Sequence, residues 1–155
     1  AQLASRGLGA SVGARSGAVI YPGGRLFRQG ALERALLRLD ESDPVRAERL
    51  RNLHHVLPPR PGGVLSLLDG APDADVVIVA HAGFEAIPSV AELARRAPLN
   101  RAIRVAVWRV PRSQIPDDPD GRVKWLDDEW MRLDQWVAAQ LAHSGPGHRR
   151  PTARD

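Results

Sequence analysis

Five consecutive apolar residues, Val76-Val77-Ile78-Val79-Ala80, follow Asp75 near the middle of a chain of 155 residues. Four of the five are β-branched, and side chains stiff at χ1 favour the extended backbone. A run without polar alternation is expected where both faces of a strand are covered, as in a parallel sheet. It is also the longest apolar run in the chain. At about 20 residues a bilayer-spanning helix is far longer, so no segment is expected to cross a membrane.

Around this strand the pattern alternates. Ala18-Val19-Ile20-Tyr21 reads as a second buried strand, stopped by Pro22-Gly23-Gly24. Ala31 to Leu39 carries Leu32, Leu36 and Leu39 at helical spacing. After Asp43-Pro44, Val45 to His54 puts Leu50, Leu53 and His54 on one helical side. Pro58-Pro59-Arg60-Pro61-Gly62-Gly63 is expected to be a rigid turn before a short helix, Val64 to Leu68. Ser89 and Glu92 form a capping-box start for a helix through Arg96, and Ile103 to Val110 is a third strand ended by Pro111. Asp117 to Gly121 reads as a turn. Leu126, Trp130, Leu133, Val137 and Leu141 then mark the apolar stripe of the longest helix. The order implies an α/β fold with a mainly parallel sheet and flanking helices. One folding unit over residues 1–142 and a disordered tail over 143–155 are expected, the tail from its composition. The chain opens without Met and without a signal-peptide pattern, and is expected to be a piece of a longer polypeptide.

Composition removes several chemistries. With no cysteine there is no disulfide framework, thiolate zinc site or thiol nucleophile. The histidines make no metal-ligand spacing with any acid, so no metal is expected. Gly9-Ala10-Ser11-Val12-Gly13 fits the G-x-S-x-G pattern of serine hydrolases, but the expected strand follows the serine instead of preceding it. Charge is uneven: residues 1–60 hold ten Arg against five acids, whereas residues 61–155 hold twelve basic against thirteen acidic residues. The first part is therefore the one suited to an anionic ligand. Nucleic acid is not the expected partner, because the second part is net acidic and aromatics do not interleave with the arginines. Trp125, Trp130 and Trp136 invite a membrane-interface reading of the last helix. Asp127, Asp128, Glu129 and Asp134 oppose it, and Trp130 is expected in the core with Trp125 and Trp136 flanking.

Within the basic part, Tyr21-Pro22-Gly23-Gly24-Arg25-Leu26-Phe27 sets a tight turn and a guanidinium at a strand end, where α/β sheets bind ligands. Arg25 and Arg28 match phosphate oxygens in charge and fork geometry; a tight turn with solvated arginines explains the same residues. This segment resembles the Phe-Pro-Glu-Gly-Thr-Arg-Phe block of the lysophosphatidic-acid-type (1-acylglycerol-3-phosphate) acyltransferases. In a branch of that family a Leu-x-Pro-Arg-x-x-Gly segment and a Val-rich strand follow, and here Leu57-Pro58-Pro59-Arg60-Pro61-Gly62-Gly63 and Asp75 to His81 stand in that order.

The resemblance covers roughly Ala18 to Leu141 and implies the later portion of a glycerolipid acyltransferase. It implies a fatty-acyl group moving from acyl-CoA or acyl-carrier protein, as donor substrate, to a lysophospholipid hydroxyl in phospholipid biosynthesis. It further implies no other cofactor, and a place on the cytoplasmic face of a membrane reached through a preceding segment. The family's Arg falls on Leu26 or, with a one-residue gap, on Arg25, so the resemblance assigns the acceptor phosphate to Arg25, beside Arg28 from the fork geometry above; it assigns a substrate-channel turn to Tyr21, Pro22, Gly23, Gly24, Arg60, Gly62 and Gly63. Two departures matter. Gly23 stands where the family has Glu, and no histidine has Asp five residues on, since Pro59, Arg60, Ala86, His148 and Ala153 follow at that distance. The family's general-base pair is thus absent from this chain, which leaves a non-catalytic basic α/β module holding a phosphorylated ligand or lipid headgroup as the alternative.

Overall fold

The structure, a computed structural model, describes residues 17–24, 27–83 and 102–143. Helix α1 spans Gln29–Ser42, α2 Pro44–Leu50 and α3 Pro61–Gly70. Strands β1 (Val76–Ala82) and β2 (Arg104–Val110) follow, then a 3-10 turn at Arg112–Gln114 and the long helix α4, Pro119–Ala142.

Among the described residues, three of the four helices open on proline in the first turn, where its missing N–H would have had no intrahelical partner. Asp43 and Asp118 cap α2 and α4, accepting from Arg46 N at 3.0 Å and Gly121 N at 2.6 Å. Asp117 to Gly121, expected to be a turn, is therefore the cap and first turn of α4. Likewise Pro61-Gly62-Gly63 forms the first turn of α3. Helix α2 stops at Leu50, so Leu53 is buried but His54 lies exposed beyond the helix and not on its apolar side.

The sheet corrects the parallel expectation. Among the described residues it has two strands, antiparallel, in the register Val76↔Val110 to Ala82↔Arg104. Ile78, Ala80 and Ala82 point inward, while Val77, Val79 and His81, with Val105, Val107 and Arg109 opposite, point to solvent. The apolar run looks continuous because valine occupies the open face as well as the covered one, not because both faces are covered. Ala18 to Tyr21 forms no strand: Val19 and Tyr21 are 84% and 81% exposed. β-Branching raises strand propensity, but a four-residue run without a partner ladder has nothing to bind its N–H groups. The expected helix from Ser89 to Arg96, the Gly9 to Gly13 segment and residues 144–155 lie outside the described residues.

Two apolar clusters share α4. The inner sheet face packs with Val64 and Leu68 of α3 and Leu126, Leu133 and Val137 of α4; Trp125 and Trp136 cover it as expected, whereas Trp130, expected in the core, is half-buried against it. A second cluster joins Ala31 and Leu32 of α1 to Leu50, Leu53 and Leu57, with Met131 of α4 against it. Arg122 fixes α4 to α3, donating to Asp69 at 2.6 Å and to Pro116 O at 2.9 Å.

Asp75 closes the sheet's end. It accepts from Arg112 N at 2.8 Å and pairs with the Arg109 guanidinium. The Arg112 N–H first, and then the Arg109 side chain, hold its carboxyl below the ordinary range. A group with a depressed folded pKa stabilises above its unfolded value and loses that contribution as pH falls through the folded one. Asp75→Asn should therefore lower the Tm at pH 7, and the gap to the wild type should shrink as pH drops below about 4. A gap constant down to pH 2 would contradict this ion pair.

Candidate functional site

Tyr21 to Gly24 is a tight turn closed by Gly24 N to Tyr21 O at 2.9 Å. Gly24 has φ +69°, the left-handed region in which a Cβ is strained. Thirty-odd residues later, Arg60 reaches this turn in two ways. Its backbone N–H donates to Pro22 O at 3.0 Å, and its guanidinium lies over Gly24, where a Cβ would stand 3.7 Å from Cζ. Beside them Ile20 seats on the first turn of α3: a Cβ on Gly63 would come within 2.6 Å of Ile20 Cδ1. Of the residues that the resemblance assigns to a substrate-channel turn, Arg60 meets Pro22 and Gly24, and Gly63 lies against Ile20, while nothing stands within 4 Å of a Cβ placed on Gly62.

Arg60 is the exposed N-cap of α3, and its side chain makes no cap bond. The first N–H groups of α3 have no intrahelical acceptor, so the backbone adds positive potential beside the guanidinium. Arg28 is the exposed N-cap of α1; its carbonyl accepts from Ala31 N at 2.9 Å and Leu32 N at 3.1 Å. Arg25 lies outside the described residues. The arrangement provides cationic and N–H donors at one turn, a setting for an anionic oxygen.

The segment that leads into Arg60 is bonded to α4. Asp134, buried on that helix, accepts three backbone N–H groups at Oδ1: His54 at 3.1 Å, His55 at 2.6 Å and Val56 at 3.0 Å. One turn earlier Trp130 Nε1 donates to Leu57 O at 2.9 Å. Asp127, 0% exposed, takes Arg46 in a fork of 2.7 to 3.1 Å, and Arg46 Nη2 also donates to Pro59 O at 2.7 Å. Residues 54 to 59 therefore run antiparallel along one side of α4.

In the sequence the acids of the last helix count only against a membrane-interface role. In the structure Asp127 and Asp134 are buried, whereas Asp128 is exposed and Glu129 accepts from Trp108 Nε1 at 2.8 Å. A signal was present in the spacing. Asp127 and Asp134 stand seven apart, each directly after a stripe leucine, Leu126 and Leu133, so both flank the buried seam. No sequence signal marked Arg46 as the partner of Asp127, or residues 54–56 as those of Asp134.

Over 134 residues the chain is 25% identical to lysophosphatidylinositol acyltransferase 10 of Caenorhabditis elegans, covering 83% of this chain and 33% of that protein. The likeness is distant and to an acyltransferase. The chain spans about a third of the length of that relative. No family model and no solved structure matches it. No helix among the described residues is long and apolar enough to cross a membrane.

Removing one partner of a buried ion pair leaves the other charge uncompensated, at a cost of about 3–5 kcal/mol. Asp127→Ala should show a loss of that size in denaturant unfolding. Asp128→Ala removes the exposed contact to Arg49 and should change stability by no more than about 1 kcal/mol. Equal losses for the two variants would show that the buried pair is not what anchors the loop.

Proposed function

We propose that this chain is the acceptor-side portion of a glycerolipid acyltransferase, working within a longer polypeptide. The reading is supported chiefly by the meeting of the two turns: Arg60 joins Pro22 and Gly24, so its guanidinium and the start of α3 lie beside the Tyr21–Gly24 turn. The distant likeness to an acyltransferase supports the same class. The reaction moves a fatty-acyl group from a thioester, acyl-CoA or acyl-carrier protein, to a lysophospholipid hydroxyl. The new ester C–O bond forms as the thioester C–S bond breaks, and the hydroxyl proton ends on the released thiol. Arg60, Arg28 and Arg25 serve the acceptor's phosphate by charge-assisted hydrogen bonds. The base that takes the hydroxyl proton comes from outside this chain, since no histidine here has its aspartate.

That absence, with Gly23 in place of Glu, is also what favours the second reading, a module that holds a phosphorylated headgroup without chemistry. Two assays separate the readings. The isolated chain should give no turnover with lysophosphatidic acid and an acyl thioester, because general-base catalysis alone is typically worth about 10² to 10⁴ in rate. It should bind lysophosphatidic acid nonetheless, with affinity that falls with added salt and drops about tenfold in Arg60→Ala. Addition of a His-x-x-x-x-Asp segment of the longer polypeptide should then restore turnover under the acyltransferase reading and leave it at background under the binding-module reading. Affinity unchanged by Arg60→Ala would remove the phosphate site from both.

A further inference from the structure

The contacts along α4 carry a consequence for the site. We propose that Asp134 is a positioning residue for phosphate binding, acting through the segment 54–60 to fix the Arg60 guanidinium over the Tyr21–Gly24 turn. The inference rests on the acceptor-phosphate reading above.

Three observations support it. The segment has no helix or strand of its own between α2 and α3, so its backbone donors and acceptors must find partners elsewhere. On one side of α4 they do so in sequence: Asp134 takes the N–H groups of His54, His55 and Val56, Trp130 donates to Leu57 O, and the Asp127–Arg46 pair reaches Pro59 O. From Asp134 to Asp127 the helix rises about 10 Å, a distance that residues 54 to 59 cover without full extension. The next residue is Arg60, whose backbone N–H is already committed to Pro22 O. Its place is therefore set from both sides, by α4 through the preceding segment and by the turn it contacts.

Nearly all of the acceptor work falls on one oxygen of Asp134. Oδ1 receives all three N–H groups, and Oδ2 receives a weaker one from His54 at 3.3 Å. A neutral amide can keep Oδ1 in place, so Asp134→Asn preserves the fastening while Asp134→Ala removes it. Merely structural importance would not make this distinction bear on Arg60.

The test measures binding of lysophosphatidic acid to the full 155-residue chain, with inorganic phosphate as a second arm, in wild type, Asp134→Ala, Asp134→Asn, Arg60→Ala and the Arg60→Ala/Asp134→Ala pair. Amide hydrogen exchange at residues 54–56 is followed in each. Asp134→Ala should weaken lysophosphatidic acid about tenfold, as Arg60→Ala does, and the double variant should be no weaker than either single one. Asp134→Asn should restore affinity to within about threefold of wild type, with protected amides. Parallel losses for inorganic phosphate would assign the effect to the phosphate group; losses for the lipid alone would assign it to the lipid headgroup in its full form. Arg60→Ala without effect would overturn the phosphate reading and this inference with it. An Arg60→Ala loss with Asp134→Ala neutral, additive losses in the pair, or a chain unfolded by Asp134→Asn as well as by Asp134→Ala would overturn the positioning role and leave the phosphate reading standing.

Discussion

Two buried carboxylates on one helix organise much of this molecule. Taking Asp127 out of water costs several kcal/mol, and its attraction to Arg46 offsets that only because the fork geometry is good and Nη2 also finds Pro59 O. Asp134 solves the same problem differently, with backbone N–H groups instead of a cation. Apolar residues at both positions could pack as well. They could not select one path for residues 54 to 59, because apolar contact is non-directional and a hydrogen-bond acceptor is not. The choice of aspartate is therefore best understood as a choice of register.

That register connects the two clusters. Leu57 on the fastened segment and Leu53 just before it pack with α1 and α2, while Val56 touches both clusters and Trp130 covers the sheet side. The segment lies between them with its polar groups satisfied by α4 and its side chains distributed to either side. Among the described residues the sheet is spare: two strands, with Val77, Val79, Val105 and Val107 exposed on one face. Such a layer depends on α4 for its stability, since a lone two-stranded hairpin is marginal.

The sequence was most legible where local chemistry decides. Aspartate-proline starts, the leucine periodicity of α1 and the stripe of α4 each depend on neighbours within a turn or two, so helices were found close to where they lie. The strand at Val76 was found too, but not its pairing: one-dimensional apolarity cannot say whether an outward valine is covered. Ala18 to Tyr21 failed for the related reason that propensity does not supply a partner. At the site, the two turns were legible from their glycines, prolines and arginines, and the resemblance groups them. The fastening residues were not, because Asp127 and Asp134 were judged by charge, and charge on a helix is usually solvated. Their partners stand about 80 residues away in sequence, at Arg46 and at His54 to Val56, beyond the reach of any local pattern.

The most direct measurement is a backbone amide NMR titration of the chain with lysophosphatidic acid. The account predicts that the largest shifts fall at Gly24 and at residues 60, 62 and 63, with the amides of His54 to Val56 slow to exchange and unmoved. Largest shifts near Arg109 and Arg112, or no shift at residues 60 to 63 at saturating ligand, would contradict it.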